Sequence, residues 1–420
     1  MKAQDTHPIN GKKSRRLAHA AILPPRVAAA LILLLSLLLG AIPVTADHGQ
    51  GNNHGQGNGK GQGNGRGEGG EHGRGHNHGH HPNQGFNRRG NLLIADQFNN
   101  RVIEVDPAGD IVWSFGLGPT NTSAGSIVGC NDAERVGKLT LMAGSGLAPG
   151  VDAALPDGAV DNRVILVDEQ GRIVWQYGQF QQTGSDFNLL NTPVQAVWLP
   201  SDHVLITDQG NNRIIEVTLR KEIVWQYPGS NTNASDQLNS PNSAELLANG
   251  HILIADENNN RAIEVTRDDE IVQTLTARGT LEILGFASRL PNGNTLLTDS
   301  GHARVVEVNP SDVPVWQYFT DTDPLSFPAP LPSHAVRLKN GDTLISDQIN
   351  NRVIRVNMNG DIVADYGLPL ASGGTIGDNA GYDLHTTQKG INWPYDAKVI
   401  GDYTGLTPPS GFGEEEDGDD

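Results

Sequence analysis

The chain is expected to fold as an all-β, six-bladed propeller of four-stranded antiparallel sheets, and three observations lead there. A phrase returns along the sequence: an apolar strand ending in Asp, an Asn-rich turn, an Arg opening a second strand, then a strand that usually carries Trp, as in LLIADQFNNRVIEV, VLITDQGNNRIIEV, ILIADENNNRAIEV, TLLTDSGHARVVEV and TLISDQINNRVIRV. Within each copy, apolar and polar residues alternate with a period of two between Gly, Asn and Asp turns, which is the pattern of short half-buried strands. The spacing between copies is that of a repeat architecture in which each unit buries its apolar face only against its neighbours.

Each phrase supplies the outer three strands of a blade, and the inner strand lies upstream: NTPVQAVWLP, SPNSAELLA, LGFASRLP and LPSHAVRLK precede four of the copies. The blade around Cys130 fits the same frame, with GCNDAERVG, LTLMAG, DNRVILV and IVWQYG, interrupted by a loop from about Ser145 to Val160. The first copy has no inner strand, whereas NWPYDAKVIGD near the C-terminus has that pattern and no blade after it. Pairing the two closes the ring and leaves no open sheet edge between the ends.

The ends of the chain read differently. Residues 1–46 combine a basic start, an apolar run from Val27 to Val44 with Gly40 and Pro43, and small residues before Ala46, which is the pattern of a cleaved signal peptide. Ser14, Arg15 and Arg16 resemble a twin-arginine leader. Secretion or periplasmic export is therefore expected, with no stable membrane insertion after cleavage; an uncleaved N-terminal anchor is the alternative. Residues 47–90 are rich in Gly, Asn and His and form a tether with too little apolar surface to fold, in which His76, His78, His80 and His81 can chelate metal adventitiously. Residues 91–408 are the propeller, and 409–420 an acidic tail. A net charge of -18 disfavours nucleic acid as a partner. The single cysteine, Cys130, permits no intrachain disulfide and reads as a small buried residue. Ring closure favours a monomer.

These repeats resemble the NHL family of six-bladed propellers over roughly Asn91 to Pro408, and their outer strands, such as DEQGR before IVW, are also similar to those of arylsulfotransferase propellers. The resemblance implies an architecture and not a chemistry, because this fold hosts binding modules, lyases, lactonases and transferases alike.

Recurring residues are read as scaffold. Asp96, Asp208, Asp256, Asp299 and Asp347 stand five residues before Arg101, Arg213, Arg261, Arg304 and Arg352, and a site used once has no need of repetition. Trp113, Trp175, Trp225 and Trp316 are expected to fill the space between blades; Gln273 and Ala364 replace them in two blades, where looser junctions are expected.

Function is sought where the blades differ at the channel. Aligning the inner strands on a shared alanine places Asp132, Gln195, Ser243, Phe286, His334 and Asp396 at the position before it. The turn DSGHAR adds His302 on the same face. His302, His334, Asp396 and Asp132 together are a candidate set for a divalent ion such as Ca or Zn, or for base and acid, with His334 and His302 the candidate catalytic residues. Arg337, with Arg135 and Arg289, sits two residues past the alanine; these arginines either hold an anionic ligand or pair with carboxylates such as Glu134, Glu245 or the recurring Glu of the third strands. No nucleophile elbow, zinc-protease motif, phosphate loop or haem motif occurs. The leading expectation is a module that binds a protein or small-molecule ligand through its channel face. The alternative is a propeller enzyme, either a metal-dependent lyase or lactonase or an arylsulfotransferase-like transferase.

Overall fold

A computed structural model describes residues 85–152, 154–229, 233–324, 326–367, 390–403 and 405–406. The leader, most of the tether with its histidines, and the acidic tail lie outside the described residues. Six four-stranded antiparallel sheets are present. Blade 1 contains β1 (Leu92–Asp96), β2 (Arg101–Val105) and β3 (Ile111–Phe115). Blade 2 contains β4 (Cys130–Val136), β5 (Leu139–Leu147), β6 (Ala159–Asp168) and β7 (Ile173–Gly178). The inner strands of blades 3 to 6 are β8 (Pro193–Trp198), β12 (Pro241–Leu246), β16 (Leu284–Arg289) and β20 (Pro332–Arg337), each followed in chain order by three further strands of its own sheet.

Closure is as the sequence predicts. β24 (Pro394–Val399) pairs antiparallel with β1, with Ala397 opposite Ile94 and Lys398 opposite Leu93. It becomes the inner strand of blade 1 and touches β4 of blade 2 on one side and β20 of blade 6 on the other. Between blades, the alternating inward residues form apolar clusters, such as Leu141, Val164, Tyr177, Ala196, Ile206 and Ile215 between blades 2 and 3. The chain ahead of β1 also packs: Phe86, read as tether from sequence, lies 5.8 Å from Trp113 by ring centroid and 4.1 Å from the Arg135 guanidinium.

The recurring Asp explains itself in the turn geometry. After Asp96, Asp208, Asp256 and Asp299 comes a 3-10 turn ending in a left-handed residue, Asn100, Asn212, Asn260 or Ala303, and after Asp347 a turn ending in the left-handed Asn351. The buried Asp208 carboxylate accepts from Arg213 Nε at 2.7 Å, Asn211 Nδ2 at 2.7 Å and the backbone N–H of Asn191 at 2.8 Å. Asp96 and Asp256 repeat this set, and Asp299 does so with His302 in place of the Asn, which supplies a buried charge with the donors it needs. In blade 2 Gly144 stands where the Asp would be, and Asp161 of the opposite strand fills the space; a Cβ on Gly144 would come within 2.8 Å of its Oδ2. Asp347 Oδ1 is left without a hydrogen bond. The residue that would supply its amide is Pro330, which has no N–H.

The left-handed Asn has a second use. Its Oδ1 accepts from the backbone N–H one residue before the inner strand of the following blade: Asn100 from Gly129, Asn212 from Ser240, Asn260 from Ile283 and Asn351 from Trp393, at 2.7 to 2.8 Å. Outer junctions are tied by Trp Nε1 donating to a turn carbonyl of the next blade, Trp113 to Glu169 at 3.1 Å and Trp316 to Met358 at 3.1 Å. Gln273 does not loosen its junction as expected, because its Nε2 makes the same bond to Pro310 at 3.1 Å.

Ala303 is the exception, at φ 52° with no side-chain acceptor. Ala303→Asn is expected to stabilise the protein by about 1–2 kcal/mol, from relief of left-handed strain plus one added hydrogen bond to the next blade. The check is a rise in the denaturation midpoint at unchanged m-value; no rise would mean that the following loop fails to present its amide.

Candidate functional site

The six inner strands surround a central channel with open space at two levels and a waist between them. The upper mouth encloses about 110 Å³ and is bordered by Phe98, Leu147, Val151, Glu257, Leu331 and Tyr395 among others. A lower chamber of about 50 Å³ lies beside Glu134, Glu245, Phe286, His334 and Lys398, with Asp402 and Tyr403 of the segment after β24 along its wall. The waist is formed by Asp132, Gln195, Phe286, His334, Tyr395 and Asp396.

The residues before the shared alanine do gather at this waist, but four of them serve the ring itself. Asp396 Oδ2 accepts from Ala133 N at 3.2 Å, Asp132 Oδ2 from Ala196 N at 3.1 Å, Gln195 Oε1 from Ala244 N at 2.6 Å and Ser243 Oγ from Ala287 N at 3.2 Å. Each side chain thus holds the alanine amide of the next blade. The belt is broken at Phe286, which has no acceptor, and at His334, whose ring packs on Phe286 with centroids 4.0 Å apart.

The expected four-residue metal cluster does not form. His302 ends the 3-10 turn Ser300–His302, where four other blades have Asn, and it points Nδ1 at Asp299, 3.2 Å away, as that Asn would. Its ring is about half exposed, and its other nitrogen lies 3.4 Å from Glu282. Between Asp132 and Asp396 sits Lys398, with Nζ 2.6 Å from Asp132 Oδ1 and 2.5 Å from Asp396 Oδ2, and 3.0 Å from Ala133 O. The protein supplies its own cation where a divalent ion was expected, and among the described residues no group of three or more His, Cys, Asp and Glu is arranged to hold a metal. Its two carboxylate neighbours hold the Lys398 ammonium charged despite burial, while Asp132 is pushed up to about 6 by burial.

His334 is 4% exposed, and neither ring nitrogen has a hydrogen-bond partner. Nδ1 comes within 3.1 Å of Asp396 Oδ1, but the approach does not make a hydrogen bond. Burial, and after it the Lys398 charge, holds the imidazole well below its ordinary pKa, so it is neutral and the contact is no ion pair. The three arginines pair as scaffold. Arg135, Arg289 and Arg337 reach the third-strand Glu of the preceding blade, Glu104 at 2.6 Å, Glu264 at 2.9 Å and Glu307 at 2.9 Å. The guanidinium of Arg337 also lies 4.7 Å from the Trp316 ring centre, and Arg289 bonds Gln273 Oε1 where that ring is missing. Cys130 is buried and free, its thiol pushed up chiefly by burial.

The upper mouth is what alignment on the alanine missed. Its rim is built by the residue directly after each strand-ending Asp: Gln97, Gln209, Glu257, Ser300 and Gln348, with Ser145 at the matching place in blade 2. Five of these are neutral and one is acidic. Glu257 Oε2 accepts from Asn242 Nδ2 at 2.5 Å and Gln209 Nε2 at 3.3 Å. Asn242 is itself fixed by the Tyr395 hydroxyl at 3.0 Å. Among the described residues no cation faces Glu257, and burial pushes its carboxyl up to about 7. Gln97, Asn131, Ser145 and Gln348 bond among themselves, so that part of the rim is satisfied internally. The Ser145 to Val160 stretch is mostly the interrupting loop read from the sequence, with β5 running on to Leu147 and β6 starting at Ala159, and it brings Leu147 and Val151 to the mouth. Gly146, at φ +93°, makes this possible: a Cβ there would sit 2.3 Å from Ala159 O. The doublets DQ, DQ, DE, DS and DQ carried the signal for Glu257; nothing local marked the loop as a wall.

No family model matches the chain, and no curated protein matches it. Solved structures do. A protein of unknown function from Bacteroides caccae is 15% identical, with 66% of this chain and 93% of that one covered and a TM-score of 0.47. A streptogramin B lyase is 15% identical, over 61% and 72% of the two chains, with a TM-score of 0.41. A virginiamycin B lyase from Staphylococcus aureus, in a catalytically inactive form with quinupristin, is 13% identical over 69% and 88%, with a TM-score of 0.44. Likeness at this level bears on neither substrate nor activity, and the fold rests on the strand pairing above.

Two outcomes test the electrostatics. Lys398→Met leaves two buried carboxylates without their cation and is expected to cost about 3–5 kcal/mol, with Asp396→Asn in the same chain recovering part of the loss. Glu257 has a folded-state pKa of about 7 against an ordinary 4.5. A carboxyl raised in this way destabilises progressively as pH rises through that window, so Glu257→Gln is expected to raise stability by about 3 kcal/mol at pH 8 and by close to nothing at pH 4.5. Denaturant titrations at the two pH values decide it; an equal change at both would place another group in control.

Proposed function

We propose that this chain is an NHL-like propeller that acts as a binding module, taking a small molecule into the upper mouth of its channel. One observation carries the reading: the mouth is the place where the repeats stop being equivalent, with one acidic rim residue, Glu257, and the extended β5 and following loop of one blade supplying Leu147 and Val151. Mostly apolar walls with a few oriented polar groups are the usual make-up of a small-molecule site. The leader in residues 1–46 supports secretion or periplasmic export as the setting, and the closed ring supports a monomer.

A second reading, a propeller enzyme, is favoured by His334, whose buried imidazole has no partner at either nitrogen. A neutral imidazole beside Asp396 is competent to move a proton. Metal-dependent lyase or lactonase chemistry lacks the ligand set in the described residues, and sulfotransfer would need His334 as the acceptor of a sulfuryl group.

A thermal-shift screen of the full chain against small molecules separates the two. Ligands of the mouth are expected to raise Tm in the unaltered protein and in His334→Asn, and to lose their effect in Gln348→Trp, which fills the rim. Turnover that disappears in His334→Asn at unchanged Tm would replace the binding reading with the enzymatic one.

A further inference from the structure

We propose that the ligand of the mouth is a small organic ammonium ion, a primary or secondary amine on an apolar body, held by Glu257. The inference rests on the mouth being a ligand site and names the chemistry that the site selects.

Glu257 is 7% exposed, and its partners differ from those of the other buried carboxylates; Glu134 and Glu245 in the lower chamber accept backbone amides, from Trp198 at 2.7 Å and Arg289 at 2.8 Å. Asp96, Asp208, Asp256 and Asp299 face an Arg, and Asp132 and Asp396 share Lys398. Glu257 has only side-chain amides, and both of them bond Oε2. Oε1 is left to the cavity. A carboxylate removed from water without a counter-ion is costly, and the protein bears that cost at one rim position while the equivalent positions are neutral. A ligand that brings a positive charge and an N–H repays it with a charge-assisted hydrogen bond.

The remaining chemistry narrows the class. A sugar or other polyol needs many free donors and acceptors, yet Gln97, Asn131, Ser145 and Gln348 are engaged with one another, and the Ser300 hydroxyl donates to Pro332 O at 2.6 Å. A divalent metal needs several oxygen ligands, whereas Glu257 offers one free oxygen and Asn242 Oδ1 is taken by Tyr395. Apolar side chains do remain: Phe98, Leu147, Val151, Ile283 and Leu331 border the same cavity and suit a hydrocarbon or aromatic body. Phe98 is braced by Trp393, stacked on it with ring centroids 4.3 Å apart. The chain's net charge of -18 adds long-range attraction for cations.

The test is calorimetry on the full chain with benzylamine and benzyl alcohol, two probes of like shape that differ in charge. At pH 8 the amine is expected to bind at least tenfold more tightly than the alcohol, and Glu257→Gln to remove that preference while the protein stays folded by near-UV circular dichroism. n-Butylamine against n-butanol repeats the comparison without the ring. Equal binding of amine and alcohol, or a preference that survives in Glu257→Gln, overturns the ammonium assignment and leaves the mouth as a site for neutral ligands. Absence of binding by all four probes at millimolar concentration overturns the assignment and counts against the mouth itself. As a control on location, Gln348→Trp should abolish amine binding; amine binding that persists there overturns the placement at Glu257.

Discussion

The buried Asp at the end of the second strand is the interaction on which the architecture turns. An ionised carboxylate in a protein interior is tolerated only when donors surround it. Asp208 and its equivalents meet that demand by collecting an Arg from the following strand, an Asn from the turn and a backbone amide from the approach to the inner strand. Three separate stretches of one blade are thereby held at a single point. The geometry tolerates variation in where the carboxylate originates, as Asp161 shows by reaching across to the place vacated at Gly144, but not the loss of a donor without consequence, as the unsatisfied oxygen of Asp347 shows.

Around these nodes the blades are joined at three radii. Near the axis, waist side chains hold the alanine amides of the neighbouring blade; further out, Arg135, Arg289 and Arg337 reach a Glu of the preceding blade; at the rim, Trp or Gln273 donates to a turn carbonyl. The chain has no disulfide to hold the ring shut, so closure depends on the pairing of β24 with β1 and on Lys398, which brings a cation from that last strand to Asp132 of blade 2. The same lysine that helps seal the ring fills the place where a metal might have been sought. Structural need and chemical appearance coincide at this point, and the distances assign Asp132 and Asp396 to structure.

Departures from repetition leave two unusual buried polar residues along the channel: His334 at the waist, with no hydrogen-bond partner, and Glu257 at the mouth, held by two side-chain amides. They differ in electrostatic state. Burial keeps His334 neutral, so its cost is that of missing hydrogen bonds, whereas burial pushes the Glu257 carboxyl up to about 7, with no cation beside it among the described residues.

The six blades, their strand order, the closure by the last strand and the structural role of the Asp, Arg and Trp repeats were all legible in the sequence, because alternation and repetition are local properties that each blade states independently. The doublet after the strand-ending Asp was equally open to inspection, and Glu257 stood out in it once the mouth was known. What only the tertiary structure decided was which side chains share space. The sequence places His302, in a turn, and His334, in an inner strand, on one face, yet the first substitutes for a turn Asn and the second lies at the axis. Lys398 looks like an ordinary alternating residue until β24 crosses beside blade 2. Lys398 reaches Asp132 across 266 positions of sequence, a contact set by how the ring closes on itself, and no local pattern encodes it.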